Sequence, residues 1–283
     1  MRKRERKRRI APRIYRASVA LRRFLWLLSG GRRETVFNTK FNFTPSTHFP
    51  AYRGLRLPKK NLLSTIVRFG DYVQLQSAYL HLQQLQRPPV VVDIGAHHGV
   101  YAVILGKLAK EKGGTLIAVE PNPEAFAVLR KNVERNGLGG TVLCENVAVA
   151  EEIGSVRLAV HGEESMISAA GGAGTTEVQA APLSAILQRY SAERVDLLII
   201  DVEGAELGVL RSIDWKRTAV DRIYCELHPY NWKHFGYSAE DLLGFLRDRD
   251  FRCFDMYFRE IDRFPSDAYV GPTLFIPQKG RPA

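Results

Sequence analysis

From Val90 onward the chain alternates between two textures. Short aliphatic runs without polar alternation suit parallel strands buried on both faces. Between them, apolar groups recur every three or four positions, as in helices packed on a sheet. Val90–Ile94 is the first run, followed by a helical stretch over 101–112 closed by Gly113 and Gly114. Residues 116–120 read as a second strand, 123–136 as a helix closed by Gly137, and Val142–Glu145 as a third strand. Residues 156–160 read as a fourth, hairpin-like strand. The loop after them, 162–176, is rich in Gly, Ala and Ser, which fits either a mobile lid or a plain connector. Residues 195–200, apolar apart from Asp196, form another run. A helix over 203–212, a strand over 222–227, a helix over 239–249 and strands over 251–257 and 270–276 follow. The last two have no helix between them, so the final strand is expected to be antiparallel. The pattern predicts a doubly wound α/β sheet with right-handed crossovers.

Before Val90 the texture differs. Tyr72, Leu75, Tyr79, Leu82 and Leu85 predict a helix over 71–86, stopped by Pro88 and Pro89. Residues 34–62, with scattered Phe and Pro, read as an irregular connector on the body. The expected division is a basic, partly helical tail over 1–33, a connector with its helix over 34–89, and one domain over 90–283.

Charge sharpens that division. The chain has 283 residues and a net charge of +11. Residues 1–33 carry a net charge of +12, leaving the remainder at −1. The basicity is therefore a tail, not a face of the folded domain. Ile14, Ala17, Leu21, Phe24, Leu25 and Leu28 share one helical face in that tail. Its longest apolar run, 24–28, is far below the ~20 residues of a membrane span and shorter than a signal-peptide core. Three readings stay open: a solvated tail, a helix lying on an anionic membrane, and unspecific phosphate contact. Apolar residues at 45% and charged residues at 25% exclude a disordered or fibrous chain. Three scattered cysteines without a CxxC pair argue against a disulfide scaffold or cysteine zinc site, and fit a reducing, cytoplasmic setting.

The strongest local signal is the passage Asp93-Ile94-Gly95-Ala96-His97-His98-Gly99, which joins a buried strand to a helix. Gly95 lets the chain turn sharply, and Gly99 allows close approach of a ligand or of the helix start. No Gly-Lys-Ser/Thr follows, so this is not a Walker loop, and the Gly-x-Gly-x-x-Gly dinucleotide pattern is absent. Glu120 stands at the second strand's tip, 25 residues after Gly95, where a carboxylate can accept hydrogen bonds from two ribose hydroxyls. An alternative for Glu120 is a carboxylate at a helix N-terminus.

The loop resembles the first motif of class I S-adenosylmethionine (SAM) methyltransferases. Four features in order over 90–215 resemble the FkbM family of those enzymes. They are the Asp93/Gly95/Ala96 loop, the pair Glu120-Pro121, Asn146-Val147-Ala148-Val149, and Asp201-Val202-Glu203-Gly204-Ala205-Glu206. The resemblance implies a Rossmann-like sheet of seven strands, mostly parallel with the last antiparallel. It implies SAM as cofactor and methyl transfer to a hydroxyl of a sugar, glycan or natural product. It places Asp93, Gly95, His97 and Gly99 around the methionine part of SAM, Glu120 on the ribose, Glu145 and Asn146 near the adenine, and Asp201 and Glu203 facing methyl transfer. His97 stands where the family usually has asparagine.

Methyl transfer to a hydroxyl gains from a base. Asp201, at the end of a buried strand, could hold the SAM ammonium or the acceptor hydroxyl, or could cap the helix expected at Glu203. His228 follows the run 223–227, and alternation puts it on one face with Tyr224 and Glu226. It is the candidate base, with Glu226 orienting it or binding substrate, unless it is a hydrogen-bonded loop histidine. Asp201, Glu226 and His228 are also donors suited to a divalent metal, but nothing in the spacing fixes a geometry, and no metal is assigned. Tyr230 and Trp232 fit either an acceptor pocket or simple packing. Two other functions remain in play: a nucleic-acid methyltransferase using the basic tail, and a non-catalytic SAM-binding protein at a membrane. The neutral body and the lack of an Asn/Asp-Pro-Pro-aromatic loop weigh against the first.

Overall fold

A computed structural model describes residues 32–36, 39–44, 70–161, 164–168, 175–255, 258–264 and 271–278. The chain divides into two compact units, 1–47 and 48–283. In the first, β1 (Arg32–Val36) and β2 (Thr39–Phe43) pair antiparallel, with Arg32 opposite Phe43 and Val36 opposite Thr39. The connector expected from residue 34 is thus corrected at its start. Thr, Val and Phe in both segments favour extended backbone, and a two-residue link allows pairing. The expected tail helix within 1–31 and the connector over 45–69 lie outside the described residues.

The second unit begins with α1 (Gly70–Gln84). It continues through β3 (Val90–Ile94), α2 (Val100–Glu111), β4 (Thr115–Val119), α3 (Pro123–Arg135), β5 (Val142–Glu145) and β6 (Ala148–Val149). Then come β7 (Gly154–His161), β8 (Glu164–Ser168), β9 (Thr175–Ala181), α4 (Leu183–Arg189), β10 (Arg194–Val195), β11 (Leu197–Ile200) and α5 (Glu206–Arg211). The chain closes with β12 (Ala219–Val220), β13 (Ile223–Leu227), α6 (Pro229–Trp232), α7 (Ala239–Arg247), β14 (Phe251–Phe254) and β15 (Gly271–Pro277).

Seven strands form the main sheet in the order β14-β15-β13-β11-β3-β4-β5. β15 runs antiparallel to both β13 and β14, while β13, β11, β3, β4 and β5 pair parallel. This is the Rossmann-like α/β sheet that the alternation predicts. The chain winds outward from β3 to β5 and then returns to β11 on the other side of β3. Ligands bind where the strand order reverses in this way, at the carboxyl ends of the strands. Val92, Ile94, Leu198 and Ile200 sit in the core. Each fully buried aliphatic side chain of this kind stabilises by about 1.5–3 kcal/mol.

Local chemistry sets the element ends around the reversal. Asn122 caps α3 by accepting from Glu124 N at 2.9 Å, and Pro123 takes the first helical turn, where no N–H is needed. Asp196, the one polar residue in its run, is fully buried at the opposite end of the sheet. Its carboxylate accepts from Val90 N at 2.8 Å and Arg194 Nε at 3.0 Å, and also from Arg87. The charge is therefore paired and clamps β3 to the β10–β11 notch.

A second sheet, ordered β6-β9-β7-β8, contains the hairpin-like strand expected over 156–160 as β7 and extends into the region read as a loop. β7 pairs antiparallel with both β8 and β9. The loop read over 162–176 as a lid or a connector is corrected in part: 164–168 and the start of β9 are paired strand, while 162–163 and 169–174 lie outside the described residues. Small and polar residues carry little periodic signal when a strand does not face the main core. α4 escaped the sequence reading because seven residues make only two turns.

Candidate active site

At the reversal point β3 ends in Gly95, whose φ is +82°. A Cβ there would lie 1.8 Å from the carbonyl oxygen of Asp201, so no other residue lets β3 and β11 end this close together. Gly95 N and Ala96 N both donate to Val119 O, at 2.9 and 3.0 Å, and Asp201 N donates to Ile94 O at 2.9 Å. His97 follows at φ +49°, in the left-handed region where Asn, Asp and His are the non-glycine residues best tolerated. Its ring stacks on His98 with centroids 3.9 Å apart.

The turn opens onto a cavity of about 470 Å³. Asp93, Gly95, His97, Glu120, Asp201, Glu203 and Glu226 all line it. The tight turn at Gly95 and the carboxylate at Glu120 therefore share one opening. Glu120 is buried, and its two oxygens accept from His97 N at 2.7 Å and Asn122 N at 2.8 Å. Burial pushes its carboxyl up to about 7, against the opposing pull of those two N–H groups. Asp93 is also buried, and burial, with the neighbouring charge of Glu120, pushes it up to about 7. Its Oδ2 has no hydrogen-bond partner among the described residues.

Three residues expected at the cofactor, Glu145, Asn146 and Gly99, make contacts within the protein. Glu145 turns to Tyr190, whose hydroxyl donates to it at 2.5 Å, and to Arg189 at 3.3 Å. Asn146 donates from Nδ2 to the carbonyls of Glu120 and Pro121, at 2.8 and 3.1 Å, and so braces the turn beneath the cavity. Val147, Ala148 and Val149 form the wall instead. Gly99, at φ +77°, serves the packing of α2 on α3, since a Cβ there would lie 2.3 Å from Leu129 Cδ1.

At the other end of the cavity the chain from β11 does not enter a helix at once. Glu203 takes φ +52° and Gly204 φ +113°, and α5 starts only at Glu206, after Ala205. Asp201 is thus no helix cap. It stands half-exposed at the cavity wall. The surrounding protein and the charge of Glu226 raise its carboxyl well above the ordinary value. Glu206, within the last motif quoted above, is the residue the sequence reading did not single out. It is fully buried, with four polar groups within hydrogen-bond distance. His228 Nδ1 (2.8 Å) and Gly204 N (3.0 Å) reach Oε1, and Trp232 Nε1 and Tyr237 OH (both 2.8 Å) reach Oε2.

His228 is consequently oriented by Glu206 and not by Glu226. Its Nε2 lies 3.4 Å from Glu203 Oε2 and 3.9 Å from Asp201 Oδ1. Burial disfavours the charged ring. The hydrogen bond to Glu206 and the charges of Glu206, Asp201 and Glu203 outweigh that and push His228 up to about 9. Trp232 is buried on Glu206 and does not line the cavity, whereas Tyr230 is exposed with its hydroxyl 3.4 Å from Glu203 Oε2.

Residues 93–253 match the family described as the methyltransferase FkbM domain. Methyltransferase sdnD of Sordaria araneosa is 26% identical over 166 residues, 47% of this chain and 63% of that protein. The 31-O-demethyl-FK506 methyltransferase FkbM of Streptomyces tacrolimicus is 28% identical over 138 residues, 47% of this chain and 52% of that protein. Hexuronic acid methyltransferase AglP of Haloferax volcanii is 25% identical over 154 residues, 53% of this chain and 60% of that protein. The chain thus spans less than two thirds of the length of each of these relatives. Among the described residues, no helix is long and apolar enough to cross a membrane.

Proposed function

The chain belongs to the methyltransferase FkbM domain family, and from that premise we propose that it transfers a methyl group from SAM to a hydroxyl oxygen of a sugar, glycan or other small molecule. The observation that carries this reading is the shared cavity of Gly95 and Glu120 at the reversal of strand order. The residues suit SAM. Each oxygen of Glu120 holds one backbone N–H and keeps a lone pair for one hydroxyl of a ribose diol. Asp93 Oδ2, buried beside it, suits a cationic donor such as an ammonium group. When bound, SAM supplies a methyl group activated by a positively charged sulfur.

The protein's own groups do the rest. Asp201, with its raised carboxyl, orients the acceptor hydroxyl and takes its proton. Glu226 offers a second acceptor at the same end of the cavity. His228 is largely protonated near neutrality, so it acts as a charged anchor of the carboxylates and not as the base. Leu158 and Ile167, from the second sheet, wall off water. The printed activities of the relatives from Streptomyces tacrolimicus and Haloferax volcanii support oxygen as the methylated atom.

Calorimetry with S-adenosylhomocysteine (SAH) and mass spectrometry of hydroxylated acceptors after incubation with SAM test the proposal. Saturable SAH binding and one added methyl are expected. Absence of SAH binding by the folded protein would overturn it.

A further inference from the structure

We propose that Asp201, Glu203 and His228 form a binding site for a divalent first-row transition cation of the Mn²⁺ type. One ligand atom from each lies within 4.8 Å of the others. His228 Nε2 lies 3.4 Å from Glu203 Oε2 and 3.9 Å from Asp201 Oδ1. These separations are close to the edges of a coordination shell. A cation about 2.1 Å from each ligand needs neighbouring ligands about 3.0–3.5 Å apart. Three such atoms make one triangular face, and the side chains must draw together to close it onto a cation.

The groups behind the face point the same way. Glu206 Oε1 lies 2.8 Å from His228 Nδ1, on the opposite side of the ring from Asp201 and Glu203. The other ring nitrogen, Nε2, faces Asp201 and Glu203. A carboxylate on the far nitrogen is the usual partner of a metal-ligating histidine, fixing both tautomer and ring. The backbone of Glu203 is fixed as well, since Asn231 Nδ2 donates to its carbonyl at 3.0 Å. Carboxyl oxygens of Asp201, Glu203 and Glu206 all lie within 3.9 Å of this one ring. An imidazole with two carboxylates suits Mn²⁺, Fe²⁺, Co²⁺ or Zn²⁺ better than Ca²⁺ or Mg²⁺, which prefer oxygen alone. Binding displaces the proton from Nε2 to solvent and changes no oxidation state. Any role in turnover, where the cation would acidify the acceptor hydroxyl, rests on the proposed methyl transfer; cation binding itself does not.

The test is titration of the chelator-treated full chain with Mn²⁺, followed by electron paramagnetic resonance. One saturable Mn²⁺ per chain is expected, displaced by Zn²⁺, with a pulsed-resonance nitrogen coupling from a bound imidazole. Asp201→Asn and Glu203→Gln should each weaken binding at least about tenfold, and His228→Gln should remove the nitrogen coupling. Should His228→Gln fail to fold, Glu203→Gln carries the test, because Glu203 is partly exposed. No saturable binding up to about 1 mM, an unchanged affinity in Glu203→Gln, or no nitrogen coupling overturns the site. SAH calorimetry on the same sample separates the two proposals. Intact SAH binding without Mn²⁺ binding removes the cation site alone.

Discussion

Replacing Glu120 with alanine removes both acceptors at the tip of β4 in one step. In the ligand-free protein the effects nearly offset. The backbone N–H groups of His97 and Asn122 lose a partner, at about 1 kcal/mol each, while a carboxyl whose burial raises it to about 7 also disappears. The effect on cofactor binding does not offset. A hydrogen bond to a charged acceptor contributes about 1.5–3 kcal/mol, and two ribose hydroxyls make two. The loss of about 3–6 kcal/mol weakens SAH by roughly 10²–10⁴-fold. Calorimetry at pH 8, where the carboxylate is ionised, measures it directly. A folded variant less than about tenfold weaker than the parent would refute the ribose role. A pH series adds a second arm. If SAH needs the ionised carboxylate, its affinity declines as pH falls below about 7, by up to about tenfold per unit. The slope should be shallower in Glu120→Ala, and a flat profile in the parent protein contradicts the argument.

Gly95→Ala should destabilise by more than about 3 kcal/mol, because its Cβ meets the Asp201 carbonyl at 1.8 Å in addition to left-handed strain of about 1–2 kcal/mol. Gly137→Ala, at φ +65° with open space around it, carries the strain alone, so equal costs in urea unfolding would count against the close approach. Asp93 and Glu120 are raised on folding, so the native state binds more protons than the unfolded one between about pH 4 and 7. Their contribution to ligand-free stability is therefore favourable at acid pH and falls as pH rises through that window, by up to about 1.4 kcal/mol per unit and group. Asp93→Asn should gain stability relative to the parent between pH 5.5 and 7.5; a relative loss would reverse the sign. The net charge of +12 on residues 1–33 predicts that a chain lacking residues 1–31 pellets less with anionic vesicles, and equal pelleting would remove the membrane reading.

The sheet was legible because its strands are buried on both faces. Runs such as Val90–Ile94 and Leu197–Ile200 have one plausible environment. The turn at Gly95 and the acid at Glu120 were equally legible: glycine after a strand and an acid before a proline are local signals with local causes. The second sheet was not. Its strands pair with one another over small and polar residues, and such pairing leaves little periodic trace.

The amino-acid order by itself determined the α/β winding, the tight turn at Gly95 and the carboxylate at Glu120, since each depends on a residue and its near neighbours. Tertiary structure alone decided who orients whom. Glu206 reaches His228 across 22 positions and Tyr237 across 31, and Glu145 turns to Tyr190 across 45. Hydrogen bonds over such separations depend on how β11, β13 and the helices after them settle against one another, and no spacing rule along the chain encodes that.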